Sequence, residues 1–251
     1  MFIDTHCHLS KNDYENIEEV INEAKKENVQ KLIISGCDKE GIEESIKIAN
    51  EYDNVYLSLG YHPSEANKIT DKDIEELKQL IKENKKVVAL GEIGLDYYWE
   101  KENKEKQIDM FKKMLSISKE LNMPIVIHSR EAFQDTYDIL KESKQTGVIH
   151  CFSGNIENAK MYIDLGFTLG IGGVVTFKNT KLKEVIKEIS IDNIILETDS
   201  PYLAPTPHRG EQNSPKYIPL IAEEISKIKD MSLEEVMEKT TKNAKKIFKI
   251  D

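Results

Sequence analysis

Eight short aliphatic, β-branched runs alternate with longer charged stretches along this chain, and no other feature restricts its fold as severely. The runs are Phe2–Cys7, Lys31–Cys37, Val55–Tyr61, Val87–Ile93, Ile125–Ser129, Gly147–Phe152, Phe167–Gly172 and Asn193–Thr198. Between them, apolar residues recur at spacings of three and four, as in Ile17-Val20-Ile21-Ala24 and Ile74-Leu77-Leu80-Ile81, which is the pattern of amphipathic helices. The strand runs are almost continuously apolar, as strands must be when helices cover one face and a core covers the other. Eight strand–helix units in 251 residues match the length of a (βα)8 TIM barrel. The length would also accommodate two smaller domains, but no linker, low-complexity tract or internal repeat divides residues 1–251, so a single domain is expected.

Two stretches break the rhythm. Five of the seven prolines fall between Pro201 and Pro219, which marks a long structured loop after the eighth run, and loops of this length usually carry function. Beyond it, Ile218–Ile228 and Leu233–Phe248 read as closing helices, the second capped by Ser232 with Glu235 three residues on. The second is therefore an extra C-terminal helix.

A net charge of −10 repels nucleic acid at long range, so a polyanionic partner would need a local basic patch or metal ions. The amino terminus lacks a basic region followed by an apolar stretch, and no run approaches the roughly 20 apolar residues of a membrane span, so neither a signal peptide nor a membrane partner is expected. Cys7, Cys37 and Cys151 form neither a CxxC pair nor a disulfide framework, which suits a reducing cytoplasm. Nothing in the sequence calls for an obligate protein partner.

The scarce residue types carry the chemistry. His6 and His8 close the first run two residues apart, so on a strand both point to one face while Cys7 points to the other, and the same alternation would set Cys151 apart from His150. Two imidazoles at that spacing can grip one metal ion. Glu92, His128, His150 and Asp199 each follow an apolar run at its carboxyl end, and in a parallel barrel those ends meet on one face. Charged groups there are costly to bury unless paired or metal-bound. Four histidines and two carboxylates exceed the three or four protein ligands of one zinc-type ion. The set fits two divalent metal ions, one held by His6, His8 and Asp199 and the other by His128 and His150, with Glu92 between them. Imidazole and carboxylate donors suit zinc, manganese, iron, nickel or magnesium without choosing among them.

The segments FIDTHCHL, GEIGLDYYW, PIVIHSREA, HCFSG and ETDSPYLAPTPHRGEQNSP, in that order from residue 2 to residue 215, resemble the TatD-related deoxyribonuclease family of the amidohydrolase superfamily. The HxH pair is common to many amidohydrolases, whereas its combination with GEIGLDYY and TDSPYLAP is specific. The resemblance implies a distorted barrel, two divalent ions, and hydrolysis of DNA phosphodiester bonds. Its ligand positions coincide with His6, His8, Glu92, His128, His150 and Asp199. Asp199 is then the catalytic acid–base group, placed to orient a metal-bound water and take its proton. After Arg209-Gly210 many relatives carry basic residues, whereas this chain has Glu211-Gln212, so single-stranded or frayed DNA ends are the expected partners.

Arg130 and Arg209 are the only arginines among 35 basic residues, and a planar guanidinium can hold two phosphate oxygens at once. Both are candidate substrate contacts; for Arg130 the competing reading is an ion pair with Glu131 or Asp135. His62 ends the third run and is a candidate substrate contact, or else a buried hydrogen-bonded histidine. Glu197 can hydrogen-bond a ligand histidine from one layer deeper, or serve the fold alone. Tyr97, Tyr98 and Trp99 can stack on bases or pack the barrel rim. His208 reads as a solvated loop residue. The alternative activity is hydrolysis of another ester or amide, such as an aminoacyl-tRNA ester or a small molecule; a non-catalytic binding protein would have no need of Asp199.

Overall fold

The computed structural model describes residues 1–99 and 101–251. Strands β1 (Phe2–Cys7), β2 (Val29–Gly36), β3 (Val55–Leu59), β4 (Val87–Asp96), β5 (Ile125–Arg130), β6 (Gly147–Ile149), β7 (Thr168–Ile171) and β8 (Ile194–Leu196) pair in chain order, all parallel. Helices α1 (Ile17–Lys26), α2 (Lys39–Glu51), α3 (Asp71–Glu83), α4 (Lys104–Leu121), α5 (Phe133–Ser143), α6 (Ile156–Asp164) and α7 (Leu182–Glu188) return the chain between strands. Two more, α8 (Ile218–Lys229) and α9 (Leu233–Phe248), follow β8. The architecture is the distorted (βα)8 barrel with its additional C-terminal helix. Among the described residues no helix is long and apolar enough to cross a membrane.

The ring closes between β8 and β1 through individual hydrogen bonds rather than a regular ladder. Thr5 Oγ1 donates to Leu196 O (2.8 Å), and Thr198 Oγ1 and N donate to the two Asp4 carboxylate oxygens (2.6 and 3.0 Å). Asp199 N donates to His6 O (3.0 Å) and His8 N to Ser200 O (2.7 Å), so the seam runs directly into the residues expected to bind metal.

Six strands send one residue each into an interior cluster, namely Ile3, Ile33, Ala89, Val126, Val148 and Ile195. Ala244, Phe248 and Ile250, at and beyond the end of α9, pack onto this cluster and stopper the amino-terminal end of the barrel. Period-two alternation then carries the inward face from Val126 to His128 and Arg130, and from Ile195 to Glu197. On β1 and β4 the polar residues have the opposite parity to Ile3 and Ala89. Both strands contain a register shift, between Asp4 and Cys7 and between Leu90 and Ile93, where three steps on one strand face two on its partner. These bulges swing His6 and Glu92 toward the axis.

Several strands are shorter than the apolar runs suggest. β6 and β8 have three residues each, and beyond them the chain takes positive φ at Cys151 (46°) and Asp199 (56°). His150 sits in a turn and Asp199 lies in irregular chain beyond β8, and strand alternation does not govern Cys151. Cys7 does point away from the two histidines, with its thiol 3.6 Å from Ile33 O. The Ser232 cap of α9 is a complete capping box with Glu235.

Phe248 is almost fully buried under the barrel and remote from the mouth. Phe248→Ala should lower unfolding stability by about 3–5 kcal/mol, read as a reduced urea midpoint, while divalent-ion stoichiometry stays unchanged.

Candidate metal centre

The carboxyl ends of the strands open into a cavity of about 750 Å3 walled by His8, Cys37, His62, Glu92, Asp96, Trp99, Arg130, Asp199 and Tyr202, among others. A larger hollow of about 1110 Å3 lies at the other end of the barrel, around Pro124, Thr146, Asn193 and Lys246. Size does not decide between them: the clusters of possible metal-ligating side chains among the described residues all lie at the mouth.

Glu92 organises the mouth. It is buried, and its two oxygens face different histidines. Oε2 lies 3.5 Å from His6 Nε2 and 4.0 Å from His8 Nε2. Oε1 lies 2.7 Å from His128 Nδ1 and 3.4 Å from His150 Nε2. Asp199 Oδ1 closes the set at 3.5 Å from His8 Nε2, 3.8 Å from His6 Nε2 and 3.9 Å from His150 Nε2. The six residues singled out from their strand-end positions thus converge.

The donor set fits divalent cations. Four ligands at about 2.1 Å from one tetrahedral ion stand roughly 3.4 Å apart. His6 Nε2 and His8 Nε2 are 3.2 Å from each other, and their separations from Glu92 and Asp199 fall between 3.5 and 4.0 Å. Without an ion the carboxylates can be balanced only by protonated imidazoles. Burial disfavours charge on His150, yet the facing Glu197, Glu92 and Asp199 push its pKa up to about 10. Burial likewise opposes ionisation of Glu92, but the His150 charge and hydrogen bonds from His128 and His6 hold its carboxyl well below the usual range. Cations in this position would replace those protons.

Carboxylates behind the histidines fix their orientation. Glu197 Oε1 lies 3.1 Å from His150 Nδ1 and accepts from Cys151 N. Gly170 is required here, since a Cβ would stand 2.1 Å from Glu197 Oε2. Asp96 Oδ2 lies 2.9 Å from His128 Nε2, which leaves Nδ1 as the nitrogen aimed at the centre. Sequence reasoning overlooked Asp96. The available signal was its spacing from Glu92: positions 92, 94 and 96 share one face of β4, so Asp96 follows Glu92 into the mouth. Asp4 and Cys37 were also overlooked. Burial raises the Asp4 pKa to about 8 despite three hydrogen bonds, and the Cys37 thiol lies 3.6 Å from Glu92 Oε2.

The remaining candidates divide. His62 accepts a hydrogen bond from Ser64 N at Nδ1 (3.2 Å), and burial depresses its pKa to about 4. A neutral imidazole with Nδ1 accepting carries its proton on Nε2, which faces Glu92 Oε1 at 4.0 Å; His62 is thus a donor into the cavity and a poor ligand. Arg130 lines the cavity without an ion pair to Glu131 or Asp135 among the described residues; Asp135 instead accepts from Tyr97 Oη (2.6 Å). The Arg130 guanidinium lies over Tyr98 at 4.2 Å and Trp99 at 5.4 Å. Tyr97 is buried and packs the rim, whereas Tyr98 and Trp99 are exposed. Arg209 is outside the cavity wall, with its guanidinium 4.0 Å from the Phe177 ring centre. His208 stacks on Tyr217 (4.3 Å) and lies 2.9 Å from Glu211.

Asp96→Asn removes the charge that orients His128. The variant should bind divalent metal about 10–100-fold more weakly in chelator competition, with little change in melting temperature.

Comparison with known proteins agrees with this geometry. The family model described as TatD related DNase matches residues 3–249. The chain is 43% identical over 256 residues to the uncharacterized metal-dependent hydrolase YabD of Bacillus subtilis, covering all of both. It is 39% identical to the uncharacterized metal-dependent hydrolase YcfH of Escherichia coli K12, covering 99% of this chain and 96% of the relative. The crystal structure of YjjV, a TatD homolog from Escherichia coli K12, superposes with a TM-score of 0.93 at 28% identity, covering 100% of this chain and 98% of the other. With the matching motifs gathered around Glu92, the chain belongs to the TatD related DNase family and is a metal-dependent hydrolase.

Proposed function

We propose that this chain is a deoxyribonuclease that hydrolyses phosphodiester bonds near unpaired or frayed DNA ends. The observation that carries the reading is Glu92 between two histidine pairs, with Asp199 beside both pairs and open to the cavity. In this reading His6, His8 and Asp199 would hold one divalent ion and His128 and His150 the other, with Glu92 between them. Such an ion pair would lower the pKa of a bound water and offset charge on the attacking and leaving oxygens.

The protein groups have separable tasks. Asp199, whose side chain retains 15% exposure, orients the attacking water and accepts its proton. His62 offers Nε2–H to an oxygen of the substrate. Arg130 supplies the positive charge of the cavity wall and can contact a phosphate while remaining against Tyr98. Arg209 is assigned to the flanking strand, outside the cavity. Among its described walls, Asp13, Asp38, Glu40, Glu44 and Glu65 leave Arg130 the lone Lys or Arg, so long-range attraction of DNA is weak.

That acidic wall also favours a second reading, in which the substrate carries a cationic group, as the ammonium of an aminoacyl ester does. A panel of single-stranded DNA, aminoacyl-tRNA and a simple phosphodiester, assayed with each candidate metal, distinguishes the two. Cleavage of the aminoacyl ester alone would reject the nuclease assignment.

Asp199→Asn should lower kcat by at least about 100-fold while the fold persists by circular dichroism; near-native turnover would remove Asp199 from the chemistry. Because few phosphates meet positive charge, raising salt from about 50 to 200 mM should weaken DNA binding by less than about tenfold in fluorescence anisotropy. A steeper loss would point to an extended basic track.

A further inference from the structure

We propose that Trp99 with Tyr98 and Arg130 on one rim, and Tyr202 with Leu203 on the facing rim, clamp one unpaired nucleobase beside the scissile bond. The proposal rests on the nuclease reading and names the residues that set its substrate preference.

Trp99 follows β4 and Tyr202 follows β8, strands on opposite sides of an eight-membered ring, and both line the mouth. Trp99 is 68% exposed, Tyr202 59%, Tyr98 43% and Leu203 42%. Among the described residues only one other large apolar side chain, Leu80, is exposed, so the exposed apolar surface is gathered around this cavity. Apolar surface concentrated in this way marks a binding site.

Each jaw is tied to the centre it overlooks. Asp96 Oδ1 accepts from both Tyr98 N and Trp99 N (2.9 Å each), while Oδ2 of the same carboxylate lies against His128. Across the mouth, Tyr202 N donates to Asp199 O (2.9 Å), Asn213 Nδ2 donates to Tyr202 O (2.6 Å), and the Tyr202 ring lies edge-on to His8 at 6.2 Å. Tyr98 and Trp99 meet edge-to-face at 4.7 Å, with the Arg130 guanidinium over both. The shelf is therefore held in fixed register with the proposed catalytic groups.

The acidic wall gives the clamp its purpose. Long-range attraction of the DNA backbone is weak at this mouth, and stacking on an aromatic face is available to any base whatever its sequence. A base paired within a duplex is held by its partner and covered by its neighbours, so only an unpaired base, frayed or single-stranded, can enter.

Trp99 is the single tryptophan of the chain, so its emission reports the shelf directly. The metal-loaded full chain should be titrated with a short phosphorothioate-linked single strand, the same strand with abasic sugars, and its blunt duplex. The base-bearing strand should alter Trp99 emission, and the abasic strand and duplex should bind about tenfold or more weakly. Measured by anisotropy, Trp99→Ala should bring the base-bearing strand down to the abasic affinity, and Trp99→Phe should restore most of the difference, both with unchanged metal content. Equal affinity for abasic and base-bearing strands, or no effect of Trp99→Ala, would overturn the clamp and leave hydrolysis untouched. Base-dependent binding without cleavage of any unmodified phosphodiester would instead refute the nuclease reading.

Discussion

Glu92 is a carboxylate buried at the mouth of a barrel, with one oxygen toward His6 and His8 and the other toward His128 and His150. Burying an isolated ion costs several kcal/mol even after relaxation, and more than one carboxylate shares this small volume. Neighbouring positive charge must therefore accompany the fold, as protons on imidazoles or as cations among them. Two of the histidines carry carboxylates behind them that favour positive charge on the ring, Glu197 at His150 and Asp96 at His128. These partners fix which ring nitrogen faces inward, and so the geometry any bound ion would meet.

The barrel supplies the convergence by two different means. On β5 and β8 simple alternation suffices for His128 and Glu197, each two residues beyond an interior aliphatic, Val126 and Ile195. On β1 and β4 it does not, and one-residue bulges reset the parity so that His6 and Glu92 join the others. The same displacement brings Asp96 inward at the end of β4. At the opposite end, α9 covers the interior cluster with Phe248 and Ile250, so the ring can be polar at one end and still retain a dry core.

Around the centre the chain is acidic where a polyanion-binding protein would be basic, and aromatic where most surfaces are charged. Recognition by short-range contacts suits that arrangement, because nothing in the wall draws in a long charged duplex from a distance. Arg130 belongs to both systems, as the cavity's positive charge and as a planar partner of Tyr98 and Trp99.

Much of this was legible in the chain itself. Eight aliphatic runs separated by amphipathic stretches dictate a parallel ring, because strands of that kind need helical crossovers and covered faces. Polar residues at the ends of those runs mark His6, His8, Glu92, His128, His150 and Asp199 without reference to coordinates. Tertiary structure decided the rest. The short β6 and β8, and the positive φ at Cys151 and Asp199 beyond them, are not encoded by local apolarity. The bulges, the selection of Asp96 to orient His128, and the removal of Arg209 from the cavity wall arise from register and loop path. Composition names which groups can bind or react, while only the closed ring, with its seam between β1 and β8, fixes which of them meet.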